Sequence, residues 1–142
     1  MQYKRLMGID YGEVRIGIAF SDLLQIICSP FETYKRTTEE QDIKHIVDLV
    51  NKQEVETIVF GLPLNMDGTE GERAQKTRDF ASKVAQFVDA KIEFYDERLS
   101  SVEAEELLIS ANVKRQERKN LIDKVAAQII LESYLNSNKK RS

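Results

Sequence analysis

The run Leu6-Met7-Gly8-Ile9-Asp10-Tyr11-Gly12-Glu13-Val14-Arg15-Ile16-Gly17-Ile18-Ala19-Phe20-Ser21-Asp22 decides the fold. Residues 4–10 form an apolar stretch that closes on an acid. Residues 14–22 alternate, with Ile16, Ile18 and Phe20 set against Arg15, Gly17, Ala19 and Ser21. The link Tyr11-Gly12-Glu13 is short and carries a glycine, as a β-hairpin requires. A tight link around residues 22–25 leads to a third extended run over residues 25–34, so the chain opens as a three-stranded antiparallel meander. The period then changes. Thr37-Thr38-Glu39-Glu40-Gln41 offers capping-box pairs ahead of Ile43, Ile46, Val47 and Val50, a helix with one apolar stripe. Residues 56–62 are a buried strand ending at Gly61 and Pro63, and residues 65–71 a turn-rich loop. A helix follows over residues 72–88, with Ala74, Phe80, Ala81, Val84, Phe87 and Val88 as its apolar positions. Residues 91–95 make strand five. Ser100-Ser101-Val102-Glu103 is a second capping box, opening a helix to residue 111. Residues 112–119 read as a mobile, basic loop, and Leu121, Ile122, Val125, Ala126, Ile129, Ile130 and Leu135 mark a last long helix. The order predicts an α/β domain with a mixed sheet.

The length of 142 residues sets the domain count at one, residues 1–136, followed by a basic C-terminal tail at 137–142. Apolar residues at 42% and charged residues at 32% fit a globular chain rather than a disordered one. No apolar run approaches the ~20 residues of a membrane span, and an acid interrupts the N-terminus before a signal sequence can form. One cysteine, Cys28, allows neither an internal disulfide nor a CxxC knuckle, so a reducing, cytoplasmic setting is expected. One histidine, His45, excludes zinc sites built on several histidines and any catalytic histidine pair. His45 itself lies in a polar helical pattern and is expected on a solvated face. Carboxylates, lysines or a hard metal must therefore carry any chemistry. The net charge of −3 divides into +5 over residues 112–142 and −8 over the rest. Such a split suits a polyanion partner or a solvated helix start equally.

Asp10 ends an apolar strand, where a carboxylate needs a metal, a base or backbone N–H groups, or else caps the hairpin turn. Asp96 and Glu97 end strand five. Being adjacent, they point to opposite faces, so at most one shares a face with Asp10. Asp123 lies in the first turns of the last helix. Oxygen-only ligands on rigid elements suit Mg²⁺ or Mn²⁺, and two such ions would serve an in-line phosphodiester hydrolysis without any histidine. The loop at 61–71 opens a helix and could hold a substrate phosphate on its backbone N–H groups, through Asn65, Asp67, Gly68 and Thr69, or could simply join strand to helix. It lacks the lysine of a nucleotide P-loop. Arg15 and Arg98 could grip a phosphate or balance the nearby acids.

Gly8-Ile9-Asp10-Tyr11-Gly12 with Arg15-Ile16-Gly17 and Ser21-Asp22, Gly61-Leu62-Pro63 with Asp67-Gly68-Thr69, Asp96-Glu97-Arg98-Leu99-Ser100, and Ile122-Asp123 with Ala126-Ala127 resemble the YqgF (RuvX) family over residues 5–135. The resemblance implies a ribonuclease H-like fold, with a five-stranded mixed sheet flanked by helices. It implies a metal-dependent nuclease that matures the 5′ end of pre-16S rRNA, with Holliday junction resolution as the alternative. Asp10, Glu97 and Asp123 would be the catalytic, metal-binding acids, with Glu97 favoured over Asp96. On this reading the partners are structured RNA or branched DNA and the small ribosomal subunit or its precursor, with no membrane. The chain would act as a monomer or weak homodimer, and the bases of residues 112–119 would grip the nucleic-acid backbone. Two competing readings are a non-catalytic RNA-binding assembly factor and an ATPase fragment of the actin–sugar-kinase type. The second is opposed by the length and by the absence of an adenosine-site motif.

Overall fold

A computed structural model describes residues 4–98 and 100–139, except for the side chains of residues 100, 101, 119, 120, 138 and 139. The chain runs β1 (Arg5–Tyr11), β2 (Arg15–Ser21), β3 (Cys28–Lys35), α1 (Glu39–Lys52), β4 (Val55–Leu62), α2 (Glu72–Ala85), β5 (Lys91–Asp96), α3 (Ser100–Ser110) and α4 (Arg115–Lys139). The strands lie in the order β3-β2-β1-β4-β5. The hairpin pairs β1 with β2 and β2 with β3 antiparallel, while β1–β4 and β4–β5 are parallel. Parallel neighbours need crossovers, and α1 and α2 supply them. This is the five-stranded mixed sheet that the period changes predict.

Strand alternation divides the core. Met7 and Ile9 of β1, Ile16 and Ile18 of β2, and Ile58 and Phe60 of β4 face α1 and α2, where Ile46, Val50, Phe80 and Val84 close over them. Leu6 and Val59 face the other way, onto Ile130 and Leu131 of α4. Asp10 and Gly17, which pair across β1 and β2, belong to this second face. A Cβ on Gly17 would collide with the carbonyl oxygen of Asp123. That glycine lets the first turns of α4 press onto the sheet beside Asp10.

Four local expectations change. The tight link expected at residues 22–25 extends to residue 27, so β3 starts only at Cys28: Asp22 Oδ1 accepts from the backbone N–H groups of Ile26 and Ile27 (2.7 and 3.1 Å), and Gln25 is left-handed at φ 58°. Helix α2 stops at Ala85, which leaves Phe87 mostly exposed. Most of the expected loop at 112–119 is helix. Asn112, at φ 60°, ends α3, and α4 begins at Arg115, because its first turns are polar but built from Arg, Gln, Glu and Lys, all strong helix formers. His45 is packed rather than solvated: its ring stacks on Tyr34 at 4.2 Å between centroids, and Nε2 meets Glu32 Oε1 at 2.7 Å. The Thr38 cap forms as the sequence predicts, accepting from the Gln41 N–H, whereas the caps expected from Ser100 and Ser101 lie outside the described side chains.

Candidate active site

Asp10 stands near the C-terminal end of the central strand, on the face that α4 covers. Glu97 follows β5 directly, and its N–H continues the ladder to the Leu62 carbonyl at 3.2 Å. From there its side chain folds back over β4. The space it takes is the one a side chain at residue 61 would occupy, since a Cβ on Gly61 would strike Glu97 Oε2 and Ile130 Cδ1. Gly61 therefore allows an acid on the outer strand to reach the acid on the central one, and the two carboxyl groups are hydrogen-bonded.

Burial and the neighbouring Asp10 push the Glu97 carboxyl up to about 9, so at neutral pH Glu97 carries a proton and donates it to Asp10. Burial likewise raises Asp10, the bond from Glu97 opposes the rise, and Asp123 adds to it. Arg73 offsets both acids in part. Glu97 Oε2 is buried and has no hydrogen-bond partner.

Asp123 lies close enough to act on Asp10 but is engaged elsewhere: Arg15 Nε holds its Oδ2 at 2.7 Å, with half of the arginine side chain exposed. Asp96 turns away. Arg98 grips it through Nε and Nη2 at 2.9 and 2.7 Å, and that guanidinium holds its carboxyl below the usual range. The structure thus joins Asp10 to Glu97, sets Asp123 beside them, and separates Asp96.

Among the described residues, no three His, Cys, Asp or Glu side chains converge as a finished cation cage. The donors nonetheless suit a hard divalent ion: two carboxylates in contact, both raised toward protonation, one with an orphaned buried oxygen, and a third acid held back by a single half-exposed ion pair.

The loop from β4 to α2 is bound mainly to itself. Asn65 Nδ2 donates to Thr69 Oγ1 at 3.0 Å, and Asp67 Oδ1 accepts from both the Thr69 N–H (3.0 Å) and its hydroxyl (2.6 Å). Gly68 supplies the left-handed turn at φ 88°, which a side chain would strain. Arg98 Nη1 reaches the Met66 carbonyl at 3.1 Å and ties the loop to the end of β5. The polar side chains expected to meet substrate are thus spent on the shape of the loop. Arg118 is similarly committed, bracing the α3–α4 turn through the Val113 carbonyl at 3.0 Å.

Sequence reasoning overlooked Arg73. It sits in the first turn of α2 and, with Gly12, Arg15 and Asp123, lines an open cavity of about 350 Å³ beside the acids. One signal could have revealed it: a cation at the N-terminal end of a helix opposes the helix dipole.

The sheet order, with helices on both faces, gives the chain the α/β fold of the resolvases. Its structural neighbours share that fold. RuvC of Thermus thermophilus, solved in complex with a Holliday junction substrate, superposes with a TM-score of 0.64 at 11% identity, covering 97% of each chain. The fowlpox virus resolvase, solved with Holliday junction DNA, gives 0.61 at 10% identity, covering 94% of this chain and 98% of that one. The model of the RuvX family, described as Holliday junction resolvase, matches residues 4–137, and the chain belongs to that family. Relatives named "Putative pre-16S rRNA nuclease" include one from Halothermothrix orenii, 51% identical over 96% of this chain and 97% of its own length. Another, from Clostridium acetobutylicum, is 44% identical over 94% of this chain and 98% of its own.

Proposed function

We propose that the chain is a divalent-metal-dependent nuclease that matures the 5′ end of pre-16S rRNA in the cytoplasm, acting on the small ribosomal subunit or its precursor. The observation that carries this reading is 51% identity, over nearly the whole of both chains, to a relative bearing that name. Asp10 and Glu97 would hold the metal, with Asp123 as a third ligand once its ion pair with Arg15 is exchanged. Bound there, two Mg²⁺ or Mn²⁺ ions would activate water and stabilise the leaving oxygen. To serve as an anionic ligand Glu97 would have to give up the proton it carries at neutral pH. Arg15 then turns to a substrate phosphate. Asn65, Asp67, Gly68, Thr69 and Arg98 act on the substrate through the loop they shape, which presents backbone N–H groups at the start of α2. Lys114 and Arg115, exposed at the start of α4, meet the backbone further along.

A second reading, junction resolution, is favoured by the description of the family model and by the fold neighbours solved with junctions. It needs a two-fold dimer to match a two-fold substrate, whereas the rRNA reading is satisfied by a monomer or weak homodimer. End-labelled pre-16S rRNA fragments and a four-way DNA junction, incubated in parallel with Mn²⁺, Mg²⁺ or EDTA, test both. Metal-dependent cutting of the rRNA that Asp10→Asn abolishes is expected. Preferential cutting of the junction would replace the first reading with the second. RNA bound but never cut would leave a non-catalytic assembly factor.

A further inference from the structure

Arg73 acts on Asp10 and Glu97 through its charge alone and is held by no direct bond. Among the described residues, its guanidinium makes no hydrogen bond and closes no ion pair. It is exposed, so it packs nothing. It also sits at the positive end of α2, where an acid would be stabilising and a base is not. The neighbouring arginines are tied: Arg78 to Glu70, Arg98 to Asp96 and Met66, Arg15 to Asp123. Arg73 is the one kept loose, and it lies at the acid pair.

Its position gives the reason. The cavity beside the acids is walled by Arg73 from α2 and Arg15 from β2, with Gly12 of the hairpin link completing the wall. Glu13, the only acid on the wall besides Asp123, leans toward Lys76 at 3.9 Å. Arg15 spends one nitrogen on Asp123, in an ion pair exposed enough to be exchanged cheaply. Two guanidinium forks with free donors converging on a cavity of about 350 Å³ match a tetrahedral oxyanion carrying several acceptor oxygens.

We infer that Arg73 and Arg15 form a clamp for one phosphodiester of the substrate, with Arg73 as its unpaired arm and Arg15 as the arm that turns in from Asp123. This rests on the nuclease reading and adds to it a phosphate subsite and a residue, Arg73, that touches substrate. A phosphate there would compete with Asp123 for Arg15, so phosphate entry loosens the hold on the third acid.

The test measures binding without cleavage. A short end-labelled single-stranded RNA is titrated by fluorescence anisotropy with the full chain in EDTA, across a range of salt, for the native protein, Arg73→Ala, Arg73→Lys and Lys44→Ala. Lys44 is an exposed cation on α1 and serves as the control for general charge. Arg73→Ala is expected to bind about tenfold more weakly, with a log–log salt slope shallower by about 0.7. Arg73→Lys should keep the slope and lose part of the affinity, since an ammonium cannot make the bidentate contact. Thermal melting of all four should agree within a few degrees, which separates lost binding from lost folding. A native chain that binds and cuts RNA while Arg73→Ala keeps native affinity and slope would overturn the clamp and leave the nuclease reading standing. So would an equal loss in Lys44→Ala. A native chain that neither binds nor cuts RNA or the junction would overturn both.

Discussion

Buried acids stand at two places among the described residues, and they are treated in opposite ways. Asp42, near the start of α1, is fully buried. Burial alone would raise it, but the Thr37 N–H (3.0 Å), Arg36 Nε (2.9 Å) and the Tyr34 hydroxyl outweigh that cost, and its carboxyl titrates below the usual range. The same arginine lies over the Tyr11 ring and donates to the Gly12 carbonyl at 3.1 Å, tying the hairpin to α1. Asp10 and Glu97 are buried against each other, share a proton, and leave one oxygen without any partner. The fold can neutralise an interior acid completely, and does so at Asp42. At the sheet edge it does not. The unsatisfied pair is therefore the one reserved for a ligand that brings positive charge.

Substitutions can pull that contrast apart. Glu97→Gln keeps the shape of the corner and its hydrogen bond to Asp10 but removes an anionic ligand. It should lower metal-dependent cleavage by about a thousandfold, with the folded chain intact by circular dichroism. Cleavage within tenfold of native would remove Glu97 from the catalytic set. Asp42→Ala should do the reverse, leaving the Arg36 charge unpaired and destabilising the domain by about 3 kcal/mol in urea titration, with residual folded protein still able to cut. A loss of activity without a loss of stability would erase the distinction between the two acids.

The pH dependence sharpens the same comparison. Glu97 titrates at about 9 in the folded chain against an ordinary value of 4.5, so the folded state holds a proton that the unfolded state releases. Its contribution is complete below pH 4.5 and is lost as pH rises toward 9, with a slope of at most about 1.4 kcal/mol per pH unit in metal-free protein. Asp42 works in the other direction: its contribution is present above pH 3.8 and disappears as pH falls through its lowered folded value. Melting curves in EDTA should decline from pH 5 to 9 in the native chain and flatten in Glu97→Gln, and an unchanged slope would place the proton elsewhere. The smallest effect belongs to Arg15→Ala. Freeing Asp123 should tighten Mn²⁺ binding a few-fold by calorimetry, and weaker binding would mean that the ion pair positions Asp123 rather than withholding it.

Much of the fold was legible because its signals are local. The alternation of Ile16, Ile18 and Phe20 and the Gly12 link specify a hairpin without reference to anything distant, and the result is strands β1 and β2 in register. The start of α4 was not legible, because a polar segment of good helix formers carries no apolar stripe to distinguish it from a loop. In the candidate site, Asp10 and the Asp96–Glu97 pair stood out as acids at strand ends and Asp123 as an acid beside an apolar stripe, while the choice of Glu97 came from the family resemblance. Which of Asp96 and Glu97 turns toward Asp10 depends on Gly61 of the neighbouring strand, a relation across 36 positions that periodicity cannot express. Arg73 was hidden for the opposite reason: an exposed arginine in a charged helix resembles many others until its neighbours are known.

The collision between a Cβ at residue 61 and the Glu97 carboxylate makes the bare backbone of β4 part of the acid's address. Glu97 occupies a volume that lies over the neighbouring strand, and Ile130 of α4 borders the same volume, so a side chain at residue 61 would have to displace both. Any residue larger than glycine there would act on Asp10 at second hand, by moving its partner, although residue 61 carries no chemistry of its own.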